Sequence, residues 1–89
     1  MSEEARNIAA KKLVNVYNDY DSGRYGNERA KEMKDITVEA LGNTGSEVAA
    51  KKLVDVYDDY DSGRYSNERA REMKNNVVKS LGKIGKSQD

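Results

Sequence analysis

The sequence predicts an all-α domain of four helices in two tandem αα-hairpin repeats, stacked side by side or closed into a four-helix bundle. Three observations predict it. Residues 8–45 align with residues 48–85 without a gap at a constant offset of forty, and 26 of the 38 pairs are identical. A fixed period of that size marks repeat architecture, in which each unit is one supersecondary element. Apolar residues recur with the 3.6-residue period of a helix in each half, no stretch alternates as a strand does, and no Pro interrupts the pattern.

The elements are justified in order. Over 3–20, Ala9, Ala10, Leu13, Val14, Val16, Tyr17 and Tyr20 share an arc of about 160°, with Lys11, Lys12, Asn15, Asn18 and Asp19 opposite, so the segment is an amphipathic helix. Ser2 is placed to cap it, and Glu3 and Glu4 sit at its positive end. The stretch Asp21-Ser-Gly-Arg-Tyr-Gly26 is rich in turn formers and separates the first helix from the second. Over 27–41, Ala30, Met33, Ile36, Thr37, Ala40 and Leu41 share an arc of about 140°. Gly42 follows as the expected stop. Ser46 caps the third helix, 46–60, and the turn recurs at Asp61–Ser66. The fourth helix covers 67–84 and ends at Gly82 or Gly85. The expected core is Leu13, Val14, Tyr17, Met33, Ala40 and Leu41, then Leu53, Val54, Tyr57, Met73, Val77 and Leu81.

Length and composition bound the rest. The 89 residues allow one domain, 1–89, with repeat one at 3–44, repeat two at 45–85 and a polar tail at 86–89. Sixteen basic and sixteen acidic residues balance to zero net charge, so no bulk positive field draws nucleic acid. Without Cys there is no disulfide, thiol nucleophile or Cys-based zinc site, and without His the commonest general base and metal ligand is missing. No apolar run is long enough to cross a membrane, and the N-terminus lacks the pattern of a signal peptide, so the expected location is cytoplasmic. Leu, Ile and Val number fifteen, about 17% of the chain, and Phe and Trp are absent. Six Tyr and three Met must help to fill the core, or a second copy must share the burial. The closeness of the repeats points to a recent duplication or a deliberate, engineered one without a biological partner.

Ala40-Leu-Gly-Asn-Thr-Gly45 and Ser80-Leu-Gly-Lys-Ile-Gly85 resemble the end of the second helix in HEAT-like repeats. Val48-Ala-Ala-Lys-Lys-Leu-Val-Asp-Val-Tyr-Asp-Asp59 resembles the start of the next unit's first helix. The period of forty fits, although the family's common first-helix Pro is absent and the turn with its second helix is longer than in the compact bacterial form. Gly23-Arg-Tyr25 is similar to the inter-helix turn of tetratricopeptide repeats, whose shorter period argues against that family. The HEAT-like resemblance implies stacked hairpins, no catalysis and binding along a surface.

The residues themselves offer little chemistry. Asp19-Tyr-Asp-Ser-Gly-Arg-Tyr25 and its copy at 59–65 have the Asp-x-Asp opening of a calcium loop. The fifth position, Gly23, lacks a side-chain oxygen, the sixth is Arg24 where Gly is needed, and the twelfth is Ala30 where a bidentate Glu is needed. A helix-to-helix turn is the better reading. The acidic pairs lie among Lys and Arg on polar faces, and Ser22 and Ser62 have no base beside them, so no catalytic, metal or cofactor residue is assigned. The leading expectation is a non-enzymatic protein–protein interaction module or scaffold that binds a protein partner or associates with itself as a homodimer. Its candidate surface comprises Arg24, Tyr25, Arg64 and Tyr65 in the turns, with Val38 and Val78, each about 60° outside the apolar arc of its helix. The alternative is a small nucleic-acid-associated protein, with Lys11-Lys12, Lys51-Lys52 and the arginines forming a stripe beside Tyr25 and Tyr65. Repeat stacks place a polar face on the terminal unit. The sequence therefore puts Ile36 and Ala40 against the next hairpin, and their counterparts Asn76 and Ser80 in solvent.

Overall fold

A computed structural model describes residues 2–88; Met1 and Asp89, at the ends of the expected domain and tail, lie outside the described residues. The chain forms α1 (Glu3–Tyr20), α2 (Asn27–Thr44), α3 (Glu47–Tyr60) and α4 (Asn67–Ser87) and no strand among the described residues. The all-α, four-helix expectation therefore holds. Ser2 caps α1 by accepting from the Ala5 amide at 3.1 Å, and Ser46 caps α3 by accepting from the Val48 amide at 3.1 Å. Each cap satisfies an amide that the first helical turn leaves unpaired.

Two boundaries differ from expectation. α2 runs through Gly42 and stops at Gly45, whose φ of 64° turns the chain into α3. Gly42 is buried mid-helix for another reason: a Cβ there would lie 2.6 Å from Ser80 Cβ, so the glycine permits close approach of α2 and α4. α4 likewise runs through Gly82 and Gly85 to Ser87, so Lys86 and Ser87 of the expected tail are helical. Gln88 closes the end, and its side-chain amide donates to the Gly45 carbonyl at 2.8 Å.

Within each hairpin the two helices pack on each other. Between hairpins α2 lies along α4 and α3 touches both α1 and α2, while no Cα pair within 8 Å joins α1 to α4. The four helices thus form a ring in the order α1, α2, α4, α3, with α2 and α3 also meeting across it; α1 and α3 lie in one layer and α2 and α4 in the other. The molecule measures 37 × 23 × 16 Å.

Burial follows the stack. The core contains Ala10, Tyr17, Val38, Leu41, Ala49, Leu53, Val56, Tyr60, Met73, Val77 and Ile84. Of the expected core, Tyr17, Leu41, Leu53, Met73 and Val77 are buried, and Leu13, Val14, Met33, Ala40, Tyr57 and Leu81 are half-buried. Val54 is a correction, because it is 47% exposed on the open side of α3. The expected terminal cap is also overturned. Ser80 is buried and its hydroxyl donates to the Val38 carbonyl at 3.0 Å, Asn76 is half-buried, and Ile36 is 54% exposed. The face of α4 that carries Asn76 and Ser80 meets α2, and Ile36 stands exposed on α2 at the rim of the groove it lines with Asn76, Lys79 and Ser80.

Candidate interaction surface

The two turns are built alike. In the first, the Asp21 amide donates to the Tyr17 carbonyl at 2.9 Å and the Ser22 hydroxyl donates to the Asp19 carbonyl at 2.7 Å. Gly23 takes φ 89° and Gly63 takes φ 90°, the left-handed region expected of these positions. Arg24 pairs with Asp19 and Arg64 with Asp59. The Tyr25 hydroxyl donates to Asp19 at 2.6 Å and the Tyr65 hydroxyl to Asp59 at 2.7 Å. The rings stack on their neighbours, Tyr20 with Tyr25 at 4.2 Å between centroids and Tyr60 with Tyr65 at 3.9 Å. Lys34 and Lys74 fasten the turns to the following helices through Asp21 at 3.0 Å and Asp61 at 2.9 Å. The Tyr25 hydrogen bond, then Arg24, holds the Asp19 carboxyl below the usual carboxylate range, although partial desolvation opposes them.

This geometry changes the meaning of four candidates. Arg24, Tyr25, Arg64 and Tyr65 are engaged inside their own turns, with the arginine chains exposed and the tyrosines half-buried. Arg29 is also engaged, with Glu32 at 2.6 Å, and Arg69 reaches across the repeat boundary to Asp35 at 3.0 Å.

Val38 and Val78 part company. Val38 is fully buried between α2 and α4, which corrects its assignment to an exposed surface, whereas Val78 is 56% exposed. The helix-wheel misfit of Val38 is a second apolar face. A helix inside a stack has one neighbour within its hairpin and another in the next hairpin, so a single arc underestimates its contacts. Val78 keeps that second face, and among the described residues no hairpin covers it. Around it lies a groove of about 310 Å³ lined by Tyr57, Ala70, Arg71, Lys74 and Asn75 among others. Tyr57, expected in the core, is half-buried in this groove, and no local pattern in the sequence marks Arg71 and Asn75 as its neighbours there. The signal was present in the repeat itself: whatever covers Tyr17 and Val38 in repeat one is missing from repeat two.

At the repeat boundary the Tyr17 and Tyr60 hydroxyls are buried without a hydrogen-bond partner. Burial first, then Tyr60 and Asp21, pushes the Tyr17 phenol far above its usual range, so it is neutral wherever the protein folds. Among the described residues, no group of three or more acidic side chains is placed to hold a metal ion, and no helix is long and apolar enough to cross a membrane. No family model, curated protein or solved structure matches the chain.

Proposed function

We propose that this chain is a non-enzymatic protein–protein interaction module, a short scaffold of HEAT-like helical repeats, whose partner presents helices to the open end of repeat two. The observation that carries the reading is the contrast between Val38, buried against α4, and Val78, 56% exposed at the equivalent place beside the groove under Tyr57. Apolar side chains that are buried in one repeat and bare in its copy mark a surface shaped to be covered. Arg71, Lys74 and Asn75 give that surface a polar rim.

The test is selection of displayed helical-hairpin peptides on the wild-type protein, followed by binding to Val78→Asp. Enriched peptides are expected to lose at least about tenfold in affinity on that variant, because a carboxylate replaces a central apolar anchor. A pool that binds both proteins equally, or fails to enrich, overturns the reading.

A further inference from the structure

The boundary between the two hairpins has two sides, and the molecule carries a spare copy of each. We propose that copies of this chain associate head to tail, the open face of repeat two receiving the open face of repeat one from a second copy, in the register that already joins the hairpins; the proposal rests on the interaction reading above and names its partner. The internal boundary is the template. On its first side are Tyr17, Val38 and Gly42, which recur at the open end as Tyr57, Val78 and Gly82. On its second side are Leu53, Tyr60, Met73 and Ser80, which recur at the opposite end as Leu13, Tyr20, Met33 and Ala40. Those four are buried in repeat two and half-buried in repeat one, because nothing covers them there. Among the described residues, the exposed Val54 and Val78 lie on the open face of repeat two. Neither end of the stack is closed by a polar cap.

Gly82 is the second observation. Its counterpart Gly42 is required, because Ser80 presses against it. Gly82 has no atom within 4 Å of where a Cβ would stand, yet it sits inside α4, where glycine is unfavourable. The internal register would bring Ala40 of a second copy, small like Ser80, against it.

Charges agree as well. Lys52 donates to Asn18 at 2.7 Å across the internal boundary, and Lys31 approaches Glu72 at 3.8 Å. Moved by one repeat, these contacts become Lys12 against Asp58 and Glu32 against Arg71, both of opposite sign. Asn7 and Ser46, 2.7 Å apart, become Glu47 and Arg6. Three contacts are weakened: Asp35 with Arg69 becomes Asn75 and Arg29, the Ser80 hydroxyl on the Val38 carbonyl becomes Ala40, which has no donor, and the Gln88 amide on the Gly45 carbonyl becomes Val48, which has none either. Association is thereby weaker between copies than within one. A heterologous contact of this kind leaves one face open at each end, so assembly grows with concentration instead of halting at a symmetric dimer.

Sedimentation velocity on the full chain, from micromolar to millimolar, tests this. The average mass is expected to climb above the 10.0 kDa of one chain. Gly82→Leu fills the open side of α4, where a Cβ has no other helix or side chain within 4 Å, so it is expected to keep its helicity and to remain monomeric. Ala40→Arg blocks the other face and is expected to remain monomeric too. If its helicity falls, Lys12→Glu, at an exposed position and set against Asp58 of the second copy, replaces it. Mixed, the two variants retain one good face each and should yield a species of twice the monomer mass and nothing larger. Asn75→Asp offers Arg29 of the second copy a carboxylate across the interface and should lower the concentration at which association sets in by about tenfold. A wild-type chain that stays monomeric at millimolar concentration overturns the proposal, as does a Gly82→Leu variant that associates like wild type or a mixture without the capped dimer. If association fails while selected peptides still depend on Val78, only the choice of partner falls. If both fail, the interaction reading falls with it.

Discussion

The most informative residues are those whose two copies do different things. Val38 and Val78 have the same side chain on the same helical position, and only the next hairpin distinguishes them. Val38→Ala should cost about 2 kcal/mol, from lost burial and the cavity left behind. Val78→Ala should change the stability of the dilute chain by less than about 0.5 kcal/mol. Urea denaturation of the two variants measures the difference, and equal losses would mean that α4 does not cover Val38. Gly23 and Gly63 behave alike, both at φ near 90°. There is room for a side chain at each, so any penalty comes from the backbone alone. Replacement of either by Val should cost about 1 kcal/mol or more, since a β-branched residue resists positive φ. Unchanged melting of the double replacement would rule that conformation out. The turn glycines were legible in the sequence because their neighbours Asp, Ser and Arg are turn chemistry. Gly42 was misread as a stop because a glycine that ends a helix and one that admits a neighbour look the same in one dimension.

At the scale of elements, helix existence and starts were legible, and helix ends and faces were not. Ser2 and Ser46 announce α1 and α3 because a cap is a local contact between a hydroxyl and an amide two or three residues away. The role of Gly42 depends on Ser80, thirty-eight residues further along the chain, and no local rule reports it. The faces failed for a related reason. α1 buries Ala10 and Tyr17, whereas α3 buries Ala49, Leu53, Val56 and Tyr60, the counterparts of Ala9, Leu13, Val16 and Tyr20. These are two edges of one apolar face, about 90° apart, each chosen by which side the other hairpin stands on. The turns that join the helices carry the clearest dependence on pH. Asp19 is held below its usual range by the Tyr25 hydroxyl and by Arg24, so its folded-state value lies under the unfolded value of about 3.9. Its stabilising contribution is complete above that value and is lost as pH falls through the folded one. Tyr25→Phe should move the Asp19 titration upward and bring acid unfolding to higher pH. Carbon-detected NMR of the Asp19 carboxyl reads the shift directly, and an unmoved titration would show that the phenol does not bind the carboxylate.

At the scale of the molecule, charge is arranged in pairs and not as a field. Arg24, Arg64, Arg29 and Arg69 each face a carboxylate, and the net charge is zero. Titration of a generic duplex at low salt should therefore give weak binding with a shallow salt slope, and a steep slope would revive the nucleic-acid alternative. The pair that matters most joins the hairpins. Arg69 reaches Asp35 with both side chains largely shielded, and one of its terminal nitrogens already has no partner. A stack draws its stability from each unit and from the boundary between units. Here each unit is poor in large apolar residues, so the boundary weighs heavily. Asp35→Asn makes the first repeat resemble the second, where Asn75 stands in the same place. It should cost about 2 kcal/mol, because a shielded guanidinium loses its carboxylate while its desolvation remains. Arg69→Met removes the charge and its demand together and should cost less. A double-mutant cycle over the two positions should return a coupling energy of about 1 kcal/mol or more. Denaturant unfolding of the four proteins supplies it, and strictly additive losses would mean that this ion pair does not hold the hairpins together.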